Sequence, residues 1–169
     1  MPKSLEKYYA VRVGNKTGIY KNWEDCKKQI HKYPDAYAGI GVFFKDNDPR
    51  NLSERLPGTN QTNNRAEIFA VIRAIEISKN DQNIIINTDS TYVINSYKVK
   101  NPKKNFDLVN RMNDLIKERK GKVIFKHVRG HSGIYENEKA DRFAYLGSQK
   151  SHIELILPER KGTIKNYFK

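Results

Sequence analysis

A chain of 169 residues can bury one good core, or one core beside a small module. Its 37% hydrophobic and 30% charged residues are those of an ordinary soluble globular protein. No apolar run approaches the roughly 18 residues that a membrane-crossing helix needs, so no membrane partner is expected. The start, MPKSLEKYY, has neither an apolar signal core nor an Arg/Ser-rich transit pattern. The expectation is an intracellular protein, with nucleus, mitochondrion and cytoplasm all open. A single cysteine, Cys26, excludes an internal disulfide and a Cys-based zinc site.

Lys and Arg number 32 against 19 acidic residues, a net charge of +13. Residues 1–36 hold 8 basic and 4 acidic residues, 37–146 hold 19 and 13, and 147–169 hold 5 and 2. The excess therefore runs along the whole chain. A field of this kind favours a polyanion, most simply nucleic acid.

In chain order, YYAVRVG (8–14) alternates around apolar positions and predicts a strand that stops at Gly14. NKTG is a turn, and NWEDCKKQIHKY (22–33) reads as a helix with Asn22 as N-cap and Glu24 and Asp25 in its first turn. Pro34 ends it. This ββα module of 36 residues is too small to bury a core unaided. YAGIGVFF (37–44) predicts a strand, KDNDPRNLSERLPGTNQ (45–61) a turn and an edge strand around 51–56, and NRAEIFAVIRAIEISK (64–79) a helix with Ile68, Phe69, Ile72, Ala74 and Ile75 on one side. NIIINT (83–88) reads as a strand buried in a covered sheet. A helix over 90–97 follows, then the basic connector KVKNPKKN, then an amphipathic helix over 106–119 through Phe106, Val109, Met112 and Ile116. KVIFKHV (122–128) is a further strand, RGHSGIYEN a loop and EKADRFAYLG a last helix. Strands alternating with helices imply an α/β fold with parallel pairs. No repeat or low-complexity run appears.

Three carboxylates stand out. Glu67 begins a strongly apolar helix, Asp89 follows a strand at the carboxyl edge where α/β sheets build sites, and Asp141 lies on the last helix. Taken singly, each has a bland reading: a helix-start acid, an N-cap for the next helix and a solvated face. Together TNNRAE (62–67), TDS (88–90), GHSG (130–133) and NEKAD (137–141), in this order, resemble the type 1 ribonuclease H family over roughly 37–149.

That resemblance implies a ribonuclease H-like mixed sheet flanked by helices. It also implies endonucleolytic hydrolysis of the RNA strand of an RNA–DNA hybrid by two-metal-ion catalysis. Carboxylates would hold two divalent ions, normally Mg2+ with Mn2+ as a possible substitute, astride the scissile phosphate. By position, Glu67, Asp89 and Asp141 match metal ligands, and His131 in its Gly-bounded loop matches a residue assisting proton transfer or product release. Thr62 matches a phosphate contact. Asn63 and Asn64 match residues that read the hybrid's minor groove, where 2′-hydroxyls report RNA, and Ser90 matches a backbone-positioning serine. Asn60 stands where many relatives have an Arg. Residues 1–36 resemble the first half of a hybrid-binding domain, in which Tyr9 and Trp23 match aromatics that pack on the DNA strand's sugars.

The junction departs from that pattern. YPDA runs directly into YAGIG, so the rest of the hybrid-binding domain, the linker, and the central first strand with its T-D-G aspartate are missing from the expected order. Glu6, Glu24, Asp25 and Asp35 are the only acids before Tyr37, and none is a convincing substitute. The basic protruding helix of many relatives is also absent or vestigial, with Lys98, Lys100, Lys103 and Lys104 as partial replacements in charge. The expected organisation is a truncated hybrid-binding module at 1–36, a catalytic domain at 37–149 and a basic extension at 150–169. Two functions stay open: a ribonuclease H impaired by the loss of one metal-ligand Asp, and an inactive relative that grips RNA–DNA hybrid or double-stranded RNA. The ribonuclease domain of a retroelement polymerase fits less well, because the hybrid-binding front end has no place there.

Overall fold

The computed structural model describes residues 9–11, 18–20, 22, 24–25, 37–97, 99, 102–130 and 132–150. The chain divides into two compact units, Met1–Ala36 and Tyr37–Lys169.

In the first unit β1 (Tyr9–Val11) pairs antiparallel with β2 (Gly18–Tyr20), Tyr9 opposite Tyr20 and Val11 opposite Gly18. Asn22 caps a helical turn as its residue type suggests: its Oδ1 accepts the Asp25 N–H at 2.8 Å, and its Nδ2 donates to the Asp25 carboxylate at 2.8 Å. The rest of the helix expected at 22–33, with Cys26 and Trp23, lies outside the described residues, as does 151–169.

The second unit is mixed α/β. Strand β3 (Gly39–Val42) pairs antiparallel with β4 (Leu52–Arg55). Helix α1 (Asn63–Ile77) leads to β5 (Ile84–Thr88), which pairs in parallel with β6 (Val123–His127) from Ile84↔Val123 to Thr88↔His127. A parallel pair needs a crossover, supplied by α2 (Thr91–Tyr97) and α3 (Phe106–Glu118). Helix α4 (Tyr135–Ser148) closes the described chain. Among the described residues the strands of this unit form two separate two-stranded sheets.

Helix α1 serves both. Ile68, Val71, Ile72 and Ile75 pack with Val93, Leu108, Val109 and Met112 over Ile84, Ile86 and Phe125 of the parallel pair. Ala66 joins Ile40 and Leu56 in a second cluster over the hairpin, and Phe69 touches both clusters. On the hairpin's side α4 lies backbone to backbone against β3: a Cβ on Gly39 would strike the Ala144 carbonyl, and one on Gly41 the Ala140 carbonyl. Arg119, just past α3, ties down the end of α1 by donating to the carbonyls of Ile75 at 3.1 Å and Gln82 at 2.9 Å. These acceptors lie at and beyond the C-terminus of α1, where carbonyls lack helical partners.

Two expectations are corrected. The NIIINT strand is not covered on both faces: Ile85 is 53% exposed beside Ile124 at 45%. Helices α1 and α3 cover the face that carries Ile84 and Ile86, while α4 lies on the hairpin instead. Phe106 is 62% exposed and takes no part in the buried face of α3. That face is Leu108, Val109 and Met112, with Leu115 and Ile116 beside them. At 3.6 residues per turn Phe106 sits about 120° round from the middle of this stripe.

Candidate active site

The first turn of α1 is built by Thr62. Its backbone is extended (φ −127°, ψ 150°), its carbonyl accepts the Ala66 N–H at 3.0 Å, and its Oγ1 accepts the Arg65 N–H at 3.4 Å. Asn63 and Asn64 follow as the first helical residues. All three side chains are exposed, so they are free to meet a partner. One turn on, Glu67 is half-buried and receives a short hydrogen bond from the Ser90 hydroxyl.

Ser90, rather than Asp89, caps α2: its Oγ accepts the Val93 N–H at 3.2 Å and its carbonyl the Ile94 N–H at 3.3 Å. The N-cap reading of Asp89 is thereby corrected. With the cap filled by its neighbour, Asp89 stands at the end of β5 beside Glu67. Burial pushes the Glu67 carboxyl above its ordinary value; the Asp89 charge adds to this and the Ser90 hydrogen bond opposes it. Two carboxylates held close at a strand's carboxyl end form an electronegative point suited to a cation.

The loop after β6 approaches the same place. A Cβ on Gly130 would meet the Asp89 carboxylate at 2.3 Å from Oδ2, so the backbone passes this carboxylate closely and a side chain there would have to displace it. The loop is fixed further along by the Gly133 N–H donating to Glu138 Oε1 at 3.1 Å and by Ser132 Oγ donating to the Arg129 carbonyl at 2.6 Å. His131, between these points, lies outside the described residues, and so does the Tyr9 side chain; Trp23 is outside altogether. Asp141 is half-buried on α4. Among the described residues no three His, Cys, Asp or Glu side chains form a group that could hold a metal ion.

One cluster had no role assigned from the sequence. Arg65, buried to 8% exposure, donates to both oxygens of Asp107, at 2.9 and 2.6 Å, and to Asn105 Oδ1 at 3.4 Å. Asn105 also donates from Nδ2 to the Tyr92 hydroxyl at 2.9 Å. The turn bearing Asn63 and Asn64 is thus bolted to α2 and α3. The side-chain hydrogen bond from Arg65 holds the Asp107 carboxyl below its usual value. Asp107 in the first turn of a helix was legible in the sequence as a dipole partner. Its reach to Arg65 was not.

The unit is thus a mixed α/β fold with a parallel pair, TNN at a helix start and two neighbouring carboxylates at a strand's carboxyl end, where α/β folds place their sites. Residues 26–149 match the RNase H family, and residues 7–38 match the Ribonuclease H1 N-terminal domain. This chain belongs to the RNase H family, and the type 1 assignment from the four motifs holds. It is 43% identical over 129 residues to Ribonuclease H of Schizosaccharomyces pombe, covering 68% of this chain and 47% of that protein. To Ribonuclease H1 of Homo sapiens it is 39% identical over 128 residues, 68% of this chain and 44% of that protein. To Ribonuclease H of Thiobacillus denitrificans it is 38% identical over 102 residues, 52% of this chain and 68% of that protein. The chain spans about half the length of the first two relatives. The family is generally metal-dependent, and no described helix is long and apolar enough to cross a membrane.

Proposed function

We propose that this chain binds RNA–DNA hybrids and belongs to the machinery that hydrolyses their RNA strand. Glu67, Asp89 and Asp141 are the acidic residues of the site in this reading, and His131 is the group that assists proton transfer or product release. Mg2+ is the ion the reading assigns, with Mn2+ as substitute. The observation that carries it is the Glu67–Ser90–Asp89 arrangement, a partly desolvated carboxylate pair at the end of β5, one helical turn from the exposed Asn63 and Asn64. Thr62, Asn63 and Asn64 would engage the hybrid's backbone and minor groove, while buried Ser90 fixes Glu67 from behind. In the first unit Tyr9 and Trp23 would pack on the DNA strand.

The second reading, a hybrid-binding or double-stranded RNA-binding protein without turnover, is favoured by one observation: no three-ligand group forms among the described residues. Mg2+-dependent cleavage of a labelled RNA–DNA hybrid, with Asp89→Asn in parallel, separates the two. Cleavage by the parent that vanishes in the variant establishes the nuclease. Binding without cleavage establishes the second reading, and neither binding nor cleavage overturns both.

A further inference from the structure

Arg55 ends β4 as a buried cation. It is 8% exposed, and among the described residues its guanidinium lies over the ring of Tyr37 and bonds to no carboxylate. Arg65 and Arg73, by contrast, are paired with Asp107 and Glu54. A ring face attracts a cation more weakly than a carboxylate does, and a buried charge is costly unless paired. The ladder places this residue at an edge. The Leu56 N–H donates to the Ala38 carbonyl at 2.7 Å, so positions 38 and 56, 40 and 54, and 42 and 52 exchange bonds between β3 and β4. Positions 39 and 55, and 41 and 53, do not. The backbone N–H and C=O groups of Ser53 and Arg55 therefore point away from β3, along an edge that no other described strand covers. The Arg55 side chain shares a face with its opposite number Gly39, the face on which α4 lies.

The end of α4 delivers the chain to this edge. Lys150 Nζ donates to the outward carbonyl of Ser53 at 2.7 Å, two residues before Arg55. Around α4, Ala144 abuts Gly39 of β3 and Gly147 abuts Glu54 of β4. Continuing in that direction at about 100° per residue, Leu146 comes next, on the side of the outer edge, and it is 44% exposed. Past Lys150 the sequence runs SHIELILP. Residues 153–157, IELIL, are an apolar run interrupted by Glu154 alone, and Pro158 stops it. Glu154 is also the first acid after Lys150. Four extended residues reach about 13 Å, whereas Ser53 and Arg55 stand about 7 Å apart along the strand. The Glu154 carboxylate is therefore within reach of the Arg55 guanidinium.

We propose that residues 153–157 add as a strand to the outer edge of β4, with the Glu154 carboxylate on the Arg55 guanidinium and the neighbouring apolar side chains over Leu146. The added strand takes up the outward backbone groups of β4, supplies a counter-charge to Arg55 and keeps the edge from pairing with another molecule. The proposal concerns the second unit alone and stands apart from the hybrid-binding reading. A double-mutant cycle in the full chain tests it, with denaturant unfolding of Arg55→Met, Glu154→Gln and the two combined. Glu154→Gln is expected to lower the folding equilibrium constant about tenfold in the parent and to change it little in the Arg55→Met background. An equal effect in both backgrounds overturns the proposal. Amide hydrogen exchange decides the question even where Arg55→Met fails to fold. The Arg55 N–H should be protected in the parent and exchange at least about tenfold faster in Leu155→Pro, which breaks the added strand; unchanged exchange overturns the proposal. Coupling that appears only in a dimer, by sedimentation, overturns it as well and assigns the edge to the tail of a second copy.

Discussion

Glu67 and Asp107 are carboxylates held in opposite states by their surroundings. Glu67 is partly desolvated and faces another acid, so the fold disfavours its charge. Its carboxyl titrates above the ordinary value in the folded state. The resulting penalty is present at neutral pH and disappears as the pH falls through that raised value. Glu67→Gln, which can still accept from Ser90, should therefore raise the thermal midpoint at pH 7 while abolishing any cleavage, and the gain should shrink as the pH is lowered. Stabilisation of this kind is common when a strained functional group is neutralised. Asp107 behaves conversely. Its carboxyl titrates low because Arg65 bonds to the charged form, so its contribution is complete above the unfolded value near 3.8 and is lost as the pH falls through the folded one. Asp107→Ala should destabilise the protein by about 1.5–3 kcal/mol, the cost of breaking a hydrogen-bonded charge pair. The deficit, read from denaturant curves, should narrow in acid.

At the scale of elements, the contact between α4 and β3 depends on the absence of side chains. Gly39 and Gly41 alternate with buried Ile40 and Val42, so one face of the strand is apolar and the other is bare backbone for α4 to lie on. Gly147 repeats the device from the helix side, against the backbone of Glu54. Gly41→Ala must push α4 away from β3 and should cost about 1–3 kcal/mol by overpacking. Since α4 carries Asp141, activity or metal affinity should fall along with the midpoint of thermal unfolding; a variant with parental stability would refute the close approach. The two glycines in YAGIG were visible in the sequence, but their purpose was not, because it lies in a helix about 100 residues away. Helix α3 teaches the same lesson. Its amphipathic period was legible, yet Phe106 was assigned to the buried stripe because a periodic pattern marks a face and does not say where that face ends.

For the whole molecule, positive charge on every segment predicts binding dominated by phosphate contacts. The logarithm of hybrid affinity should fall linearly with the logarithm of salt concentration, with a slope of about −3 or steeper, as expected for three or more neutralised phosphates. A flat dependence would mean that the charge serves solubility alone.

The sequence by itself determined the family, the order of the described elements and the cap at Asn22, since these rest on local chemistry and on short motifs whose spacing is kept along the chain. Only the tertiary structure decided which of those residues meet. It set Ser90 beneath Glu67, brought Gly130 onto Asp89, joined Arg65 to Asp107, left Ile85 and Ile124 bare, and gathered no third ligand among the described carboxylates. Each of these outcomes depends on the distance between residues far apart in the chain. That distance is set by how helices and strands pack, and no local pattern records it.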